Sequence, residues 1–370
     1  MTLVVCGPGT ARQSMVAAVH VALILHALGP GGTERQMTYL VAGLVERGER
    51  VTVVEIRRAD HFADAIRAAG GEVVSAEARN RADIARVVRP IHALRADVAY
   101  GLNPEANLLA LASGAPAVFG VRTSDLARLP KDAIAKVAMG LQHRLARRAR
   151  FVVANSHAAA RQLVARGYPS DRVRAVLNAV ERQRFVASPA DRDRRRARLG
   201  IAAGDQLIAT VARIDAQKDP ETFVRAAKVA TRPGRRFAWF GEGELRPELL
   251  RLAREAGVDL IAPGAVHDLA STYAAIDVFT LASAWAEAFS NAFAEALALG
   301  LPCVVTETGD HALAAGVATV VPPRNPQALA AAWDTAARNG GGPEWVRANL
   351  GVDQMVSSTH ELLLEAARGT

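Results

Sequence analysis

The chain has 370 residues, half of them hydrophobic and 5% aromatic, with a formal charge of +8. That length exceeds one ordinary hydrophobic core and suits two domains, while the positive balance favours anionic partners: nucleic acid, acidic lipid or phosphorylated small molecules. Two distant cysteines, Cys6 and Cys303, belong to no CxxC or Cys/His cluster, which argues against structural zinc and for a reducing compartment; no apolar run reaches the roughly 18 residues of a membrane span.

Residues 1–14 carry little pattern and are expected to be a loose or mis-assigned extension, with Met15 as the effective start. A secretory leader is not expected, because Arg12 is the one early cation and no small-residue cleavage site is present. Val19–Leu25 is a short apolar run ending at Gly29-Pro30-Gly31-Gly32. Helical spacing follows from Thr33 to Arg47, with Met37, Leu40, Val41 and Leu44 on one face, and Gly48 stops it. Val51–Ile56, Val73-Val74, Asp97–Tyr100, Ala117–Gly120 and Phe151–Ala154 predict further strands. The pattern falters between about Asn178 and Gly200, where an arginine-rich run from Asp191 to Arg198 marks the expected junction. Alternation resumes with Leu207–Val211, Arg236–Phe240, Asp259–Ile261, Val278–Leu281 and Cys303–Val305, and Glu344–Arg368 reads as one helix. This predicts an α/β protein of two doubly wound parallel sheets with helices on both faces. The expected domains are residues 15–185 and 186–345, with a C-terminal helix over 346–370 placed to pack back on the first domain.

Four constellations could carry chemistry. Gly29–Arg35 joins a strand to a helix; glycines let backbone approach a ligand, and a helix start favours negative charge. It is neither G-x-G-x-x-G nor a P-loop, and alone it reads equally as a packed turn. Arg213 and Lys218 follow a buried strand at the carboxyl end of the sheet, where two cations could clamp a diphosphate or simply be solvated. Ser283–Ala296 contains Glu287 in a loop and Glu295 in a helix that Ser290 and Asn291 could cap. Glu295 lies among Ala292, Phe293, Ala296 and Leu297, so it is expected to be half-buried and to need a partner. Gly241-Glu242-Gly243 and Gly264–Asp268 could frame a base or a sugar, though His267 alone reads as a surface histidine.

In this order the pieces resemble the retaining glycosyltransferases of family 4, also called group 1. The likeness runs from about Val19 to Trp333, through Gly31–Gln36, Val153–Ser156, Val211–Asp219, the Glu287-x7-Glu295 motif, Gly300–Thr306 and Thr308-Gly309-Asp310. The resemblance implies the GT-B fold, two Rossmann-like domains facing each other across a cleft, with the nucleotide-sugar donor on the second and the acceptor on the first. It implies that Arg213 and Lys218 bind the donor diphosphate and stabilise the leaving group. Glu295 would hold the ribose hydroxyls and Glu287 the transferred sugar. Phe289-Ser290-Asn291 would meet phosphate or sugar, Gly31 and Gly32 would lie near the diphosphate, and Glu242 and His267 would frame the base. Fixed cations stabilise the charge that builds on a departing diphosphate, so no metal is expected. Asp191-x-Asp193 resembles a metal-binding pair but lies in the junction rather than at a strand end.

The sequence also departs from that family. Ala288 follows the first Glu where glycine is usual, and Asn178-Ala179-Val180-Glu181 replaces Asn-Gly-Val/Ile-Asp. Tyr100–Glu105 lacks the histidine many relatives carry, leaving Glu105, Asn107 and Arg122 as acceptor-side candidates, with Arg122–Asp125 lining the cleft. The expected activity is metal-independent transfer of a hexose-type sugar from a UDP- or GDP-linked donor, with retention, to a glycan, lipid-linked or natural-product acceptor, in cell-surface polysaccharide assembly. A sugar-nucleotide epimerase, a pseudo-glycosyltransferase and a non-catalytic anion-binding protein are the alternatives. No nucleic-acid motif appears. Arg144–Arg150 reads as a basic helix face able to meet anionic lipid, consistent with a cytoplasmic enzyme at the inner face of the membrane.

Overall fold

Short β-branched runs, each closed by a turn, form the strands of two parallel sheets. The computed structural model describes residues 18–29, 31–78, 84–122, 133–336 and 340–369. The expected extension over 1–14, Cys6 and the cleft-lining Thr123–Asp125 lie outside the described residues.

The first unit runs β1 (His20–Leu25), α1 (Gly32–Glu46), β2 (Arg50–Glu55), α2 (Ala63–Ala68), β3 (Glu72–Ser75), α3 (Ile84–Ala93), β4 (Val98–Gly101), α4 (Pro104–Ala112), β5 (Ala117–Val121), α5 (Ala133–Leu145), β6 (Phe151–Ala154), α6 (His157–Ala165) and β7 (Val173–Ala175). After α7 (Pro189–Arg198) come β8 (Gln206–Val211), α8 (Pro220–Ala230), β9 (Arg235–Phe240), α9 (Arg246–Ala256), β10 (Leu260–Gly264), α10 (Leu269–Ala275), β11 (Val278–Leu281), α11 (Asn291–Ala298), β12 (Cys303–Thr306), β13 (Thr319–Val321), α12 (Pro326–Thr335), α13 (Gly341–Asn349) and α14 (Val352–Arg368). The sheet orders are β3-β2-β1-β4-β5-β6-β7 and β10-β9-β8-β11-β12-β13, with every pairing parallel. Each order reverses once, between β1 and β4 and between β8 and β11. Ligands of such sheets bind outside the carboxyl ends of the strands at that switch.

Both faces of each sheet are covered by helices, which explains why the strands are apolar throughout rather than alternating. The α1 face predicted from spacing is the buried one: Met37, Leu40, Val41 and Leu44 are each at most 1% exposed. Trp239 and Trp333 fill the second core, flanking Phe223 edge-on.

Three readings of the chain are corrected. The arginine-rich run is a helix, α7, rather than a break in pattern. Ser188 and Asp191 form its capping box, and Arg196, 4% exposed, binds Asp277 Oδ2 at 2.9 Å and the Ala275 carbonyl at 3.0 Å. A charge run thus docks by pairing with a half-buried carboxylate that also accepts the Leu207 N–H at 2.8 Å. Next, Glu344–Arg368 is two helices, because α13 ends at Asn349 and Leu350-Gly351 turns the chain before α14. Finally, Arg144–Arg150 is not one helix face. α5 ends at Leu145, Ala146–Arg148 is a 3₁₀ turn, and Arg144, Arg147, Arg148 and Arg150 are exposed. Among the described residues no helix is long and apolar enough to cross a membrane.

The chain returns to its beginning. Met355, Val356, Leu363 and Ala366 of α14 belong to the first sheet's core, beside α1. Gly43 makes this possible, since a Cβ there would lie 2.6 Å from Val356. The outgoing and returning connections meet where the Val180 N–H donates to the Leu350 carbonyl at 2.9 Å.

Candidate functional site

The loops after β1, β8 and β11 converge with the start of α11 at the carboxyl ends of the strands. The β8 loop carries Arg213 and Lys218. Asp215 caps the short turn Ala216–Lys218, and Asp219, at φ 50°, caps α8 through its bond to the Thr222 N–H at 3.0 Å. Gln217 ties this loop to the β11 loop: its carbonyl accepts the Ala284 N–H and its side chain donates to the Ala286 carbonyl, both at 2.8 Å. Ala286 sits at φ 50°, a conformation L-residues adopt only when their surroundings hold them there. Ala288 does not share that conformation, so alanine in place of the usual glycine causes no backbone strain.

Glu287 is 6% exposed. Its Oε1 accepts from the Lys218 ammonium and from Ser283 Oγ at 2.7 Å, and neither partner uses Oε2. Burial alone would raise its pKa. The Lys218 charge, with lesser help from His311 and the two hydrogen bonds, instead holds it below the usual carboxylate value. Arg213 is different: it is exposed and bonded to Asp215 at 3.1 Å, free to swing toward a ligand.

Glu295, expected half-buried, is 6% exposed and has two partners: Arg35 Nη1 at 3.0 Å, from the first unit, and Tyr273 Oη at 2.6 Å. Burial raises its pKa against the opposing pull of Tyr273 and Arg35, and the Tyr273 hydroxyl is driven well above its ordinary value by burial and by that carboxylate. Ser290 is the N-cap residue of α11, but its side chain makes no capping bond. Asn291 Oδ1 instead accepts from Asn178 Nδ2 at 3.1 Å, another link between the two units. Gly32 lies against Asn291, where a Cβ would be 2.7 Å from Nδ2, which accounts for glycine at that crossing. Gly31 is the N-cap of α1. Phe289 is 3% exposed and stacked between Phe293 and Trp345, so only its backbone can meet a ligand.

Glu242 and His267 are exposed on the adjoining loops, Glu242 lying 3.4 Å from Arg246. Gly241 and Gly243 press against the backbone of Ala212 and Ile214, so these glycines serve loop packing.

On the first unit, a cavity of about 670 Å³ is lined by His26, Thr33, Glu34, Asn103, Arg122 and Lys136 among others. Arg122 donates to Asn178 Oδ1 at 3.2 Å and to Tyr100 Oη at 3.1 Å, both neutral acceptors. Glu105 stands 3.2 Å from His26 Nδ1. Asn107 must be withdrawn from the acceptor-side set. It is fully buried, with its amide bonded to both the N–H and the carbonyl of Gly120 at 3.0 Å and to Gln142 at 2.9 Å. It fastens α4 to β5. Asp191, one of the Asp191-x-Asp193 pair, is committed to capping α7, and among the described residues no group of three His, Cys, Asp or Glu side chains is gathered as metal ligands would be.

Several residues here were not singled out by sequence. Ser283, Tyr273 and Arg35 hold the two glutamates. His311, fully buried, contacts the rings of Phe289 and Phe293 edge-on, bonds Thr306 O through Nδ1 at 3.0 Å, and has its pKa lowered by burial. Arg35 and Asp310 lie in motifs visible in the sequence. The need of a buried Glu295 for a partner was the one signal pointing toward Arg35.

The family model described as Glycosyltransferase Family 4 matches residues 30–184, and that described as Glycosyl transferases group 1 matches residues 205–339. The D-inositol 3-phosphate glycosyltransferase of Nocardia farcinica is 34% identical over 172 residues, 43% of this chain and 38% of that protein. Its Mycobacterium tuberculosis namesake is 32% identical over 168 residues, 43% and 34%. The match thus spans little more than a third of these curated relatives. Among solved structures, Anabaena HepE in complex with UDP and glucose superposes with a TM-score of 0.78 at 18% identity, covering 94% of this chain and 100% of that one. A sucrose-phosphate synthase from Thermosynechococcus elongatus does so at 0.76 and 18%, covering 95% and 100%. At such identities the likeness concerns the fold.

Proposed function

We propose, from the premise that this chain belongs to glycosyltransferase family 4 and has the GT-B fold, that it moves a hexose-type sugar from a nucleotide diphosphate donor to a hydroxyl of an acceptor bound on the first unit, retaining the anomeric configuration. The observation that carries this reading is the pairing of buried Glu287 with Lys218 at the switch point of the second sheet, with buried Glu295 in the following helix α11. In the reaction the bond from the sugar C1 to the diphosphate oxygen breaks, and a bond from C1 to the acceptor oxygen forms. The acceptor proton and the nucleoside diphosphate leave. Lys218 and Arg213 stabilise charge on the departing oxygens, Glu287 orients the sugar through its hydroxyls, and Glu295 accepts from the ribose. Lys218 is held in place by Glu287 before reaction and Arg213 can close on the diphosphate, so the leaving group is stabilised without a metal.

The acceptor would occupy the cavity at Arg122. That guanidinium has only neutral partners among the described residues, so it favours an anionic or strongly hydrogen-bonding group. A phosphorylated polyol is the first acceptor to try, given the name of the curated relatives; glycan, lipid-linked and natural-product acceptors follow. The exposed Arg144, Arg147 and Arg148 are where an anionic membrane or lipid-linked acceptor would be met.

The test is calorimetric titration with UDP, GDP, ADP and dTDP in EDTA. Micromolar binding of one of them, lost in Lys218→Ala, supports the reading and fixes the donor class. NMR of the product anomeric proton then reports retention. Undiminished transfer in Lys218→Ala and Glu295→Ala would overturn it.

A further inference from the structure

The segment Thr308–His311, between β12 and β13, joins the Glu287 loop to the first unit. On one side Gly309, at φ 61°, packs so closely on the Glu287 and Ala288 carbonyls that a Cβ there would overlap them. The Asp310 N–H donates to the Ala288 carbonyl at 3.1 Å. His311 sets its ring against Phe289 and Phe293. On the other side the Asp310 carboxylate, 2% exposed, crosses to the first unit. Oδ2 accepts the His157 N–H at 2.5 Å and Oδ1 the Ala158 N–H at 2.8 Å, the first two amides of α6.

These amides have no partner within their own helix, and the helix start favours negative charge. Ser156 caps only the third, at Ala159. A carboxylate from 153 residues away thus completes the cap that the local sequence leaves unfinished. The bond exists only while the two units are together, and its backbone anchor is the residue next to Glu287.

We propose that Asp310 is a positioning residue for Glu287: by capping α6 across the cleft it holds the Glu287 loop in its bonded form when the units are closed and releases it when they part. The inference rests on the reading of Glu287 as the sugar contact. Its physical core is the coupling of α6 to the loop, which is measurable without any ligand.

The experiment is amide hydrogen exchange on the full chain. In Asp310→Ala, exchange should rise about tenfold both at residues 157–158 and across 285–290. Asp310→Asn, which keeps one acceptor oxygen, should recover part of that protection. His157→Pro probes the opposite side of the bond. Proline suits a first helical position, Ser156 is already extended at φ −161° and ψ 154°, and the change removes one donor while leaving Asp310 intact. It too should speed exchange at 285–290, and with UDP-glucose as donor it should lower kcat more than it raises KM. Fast exchange at 158 with 285–290 unchanged, in both Asp310→Ala and His157→Pro, would overturn the inference. Undiminished transfer in Glu287→Gln would instead overturn the functional reading and leave the exchange result standing.

Discussion

Arg35 and Glu295 lie 260 residues apart in the chain and 3.0 Å apart in space, one on each unit. Glu295 is buried and Arg35 about a quarter exposed, so the pair is neither a free surface contact nor a dry one. Removing the cation leaves a buried carboxylate with Tyr273 as its hydrogen-bond partner and Arg184 as a second positive charge acting on it. Arg35→Met should destabilise the protein by about 2 kcal/mol. In Glu295→Gln the same substitution should cost much less, a non-additivity that urea unfolding of the four-member cycle reads directly. Strict additivity would show that the pair contributes nothing.

Lys218→Ala removes the charge that keeps Glu287 ionised in a buried place and, on the proposed mechanism, one fixed cation on the leaving diphosphate. Transfer should fall by about 100-fold or more. Arg213→Ala should have a smaller effect on folding, because Arg213 is exposed, yet still weaken nucleotide binding. Titration of UDP against both variants separates these outcomes.

His311 is buried and holds its proton less readily than a free imidazole, whose pKa is 6.5. Burial is the main cause and Lys218 acts the same way, while Glu287 and Asp310 oppose it. Because the folded pKa is depressed, the unfolded chain binds the proton first as pH falls. The stability His311 contributes is therefore full above pH 6.5 and is lost as pH falls from there through the folded value. His311→Gln should flatten the fall of Tm below pH 6.5 relative to the parent protein, in melts followed by circular dichroism. An unchanged slope would place the acid sensitivity elsewhere.

Asn107→Ala would strand the N–H and carbonyl of Gly120 inside the first core. A loss of about 2 kcal/mol in unfolding free energy is expected, with the acceptor KM unchanged. A changed KM in a fully folded variant would return Asn107 to the acceptor site.

Most of the sheet strands could be read from the sequence, because strands buried on both faces are short apolar runs between turns. β7 escaped because it is three residues long and contains Arg174. α7 looked like a junction because its burial depends on Asp277, some 80 residues away, and not on apolar spacing. The same distinction governs the site. Lys218 and Glu287 lie in loops that follow strand ends, which put them at the carboxyl end of the sheet, while their roles and that of Glu295 are implied by the family resemblance. Arg35 on Glu295, Asn178 on Asn291 and Asp310 on α6 depend on how two separately wound sheets face each other, which no local pattern encodes.

The bond between Val180 and Leu350 brings together the places where the polypeptide leaves the first sheet and where it comes back. The second sheet is, in effect, a long excursion from a unit whose core is completed by one face of the 17-residue helix α14. The two connections are pinned to each other there, and Val180 and Leu350 both pack into the second core, so the crossing is anchored on that side. A cut in either connection would not free a self-sufficient first half, since α14 would then stay beside α1 only through non-covalent contacts: its packing on Gly43 and in the first core, and the bonds of Arg47 to Asp353 and Ser357 and of His360 to Glu49.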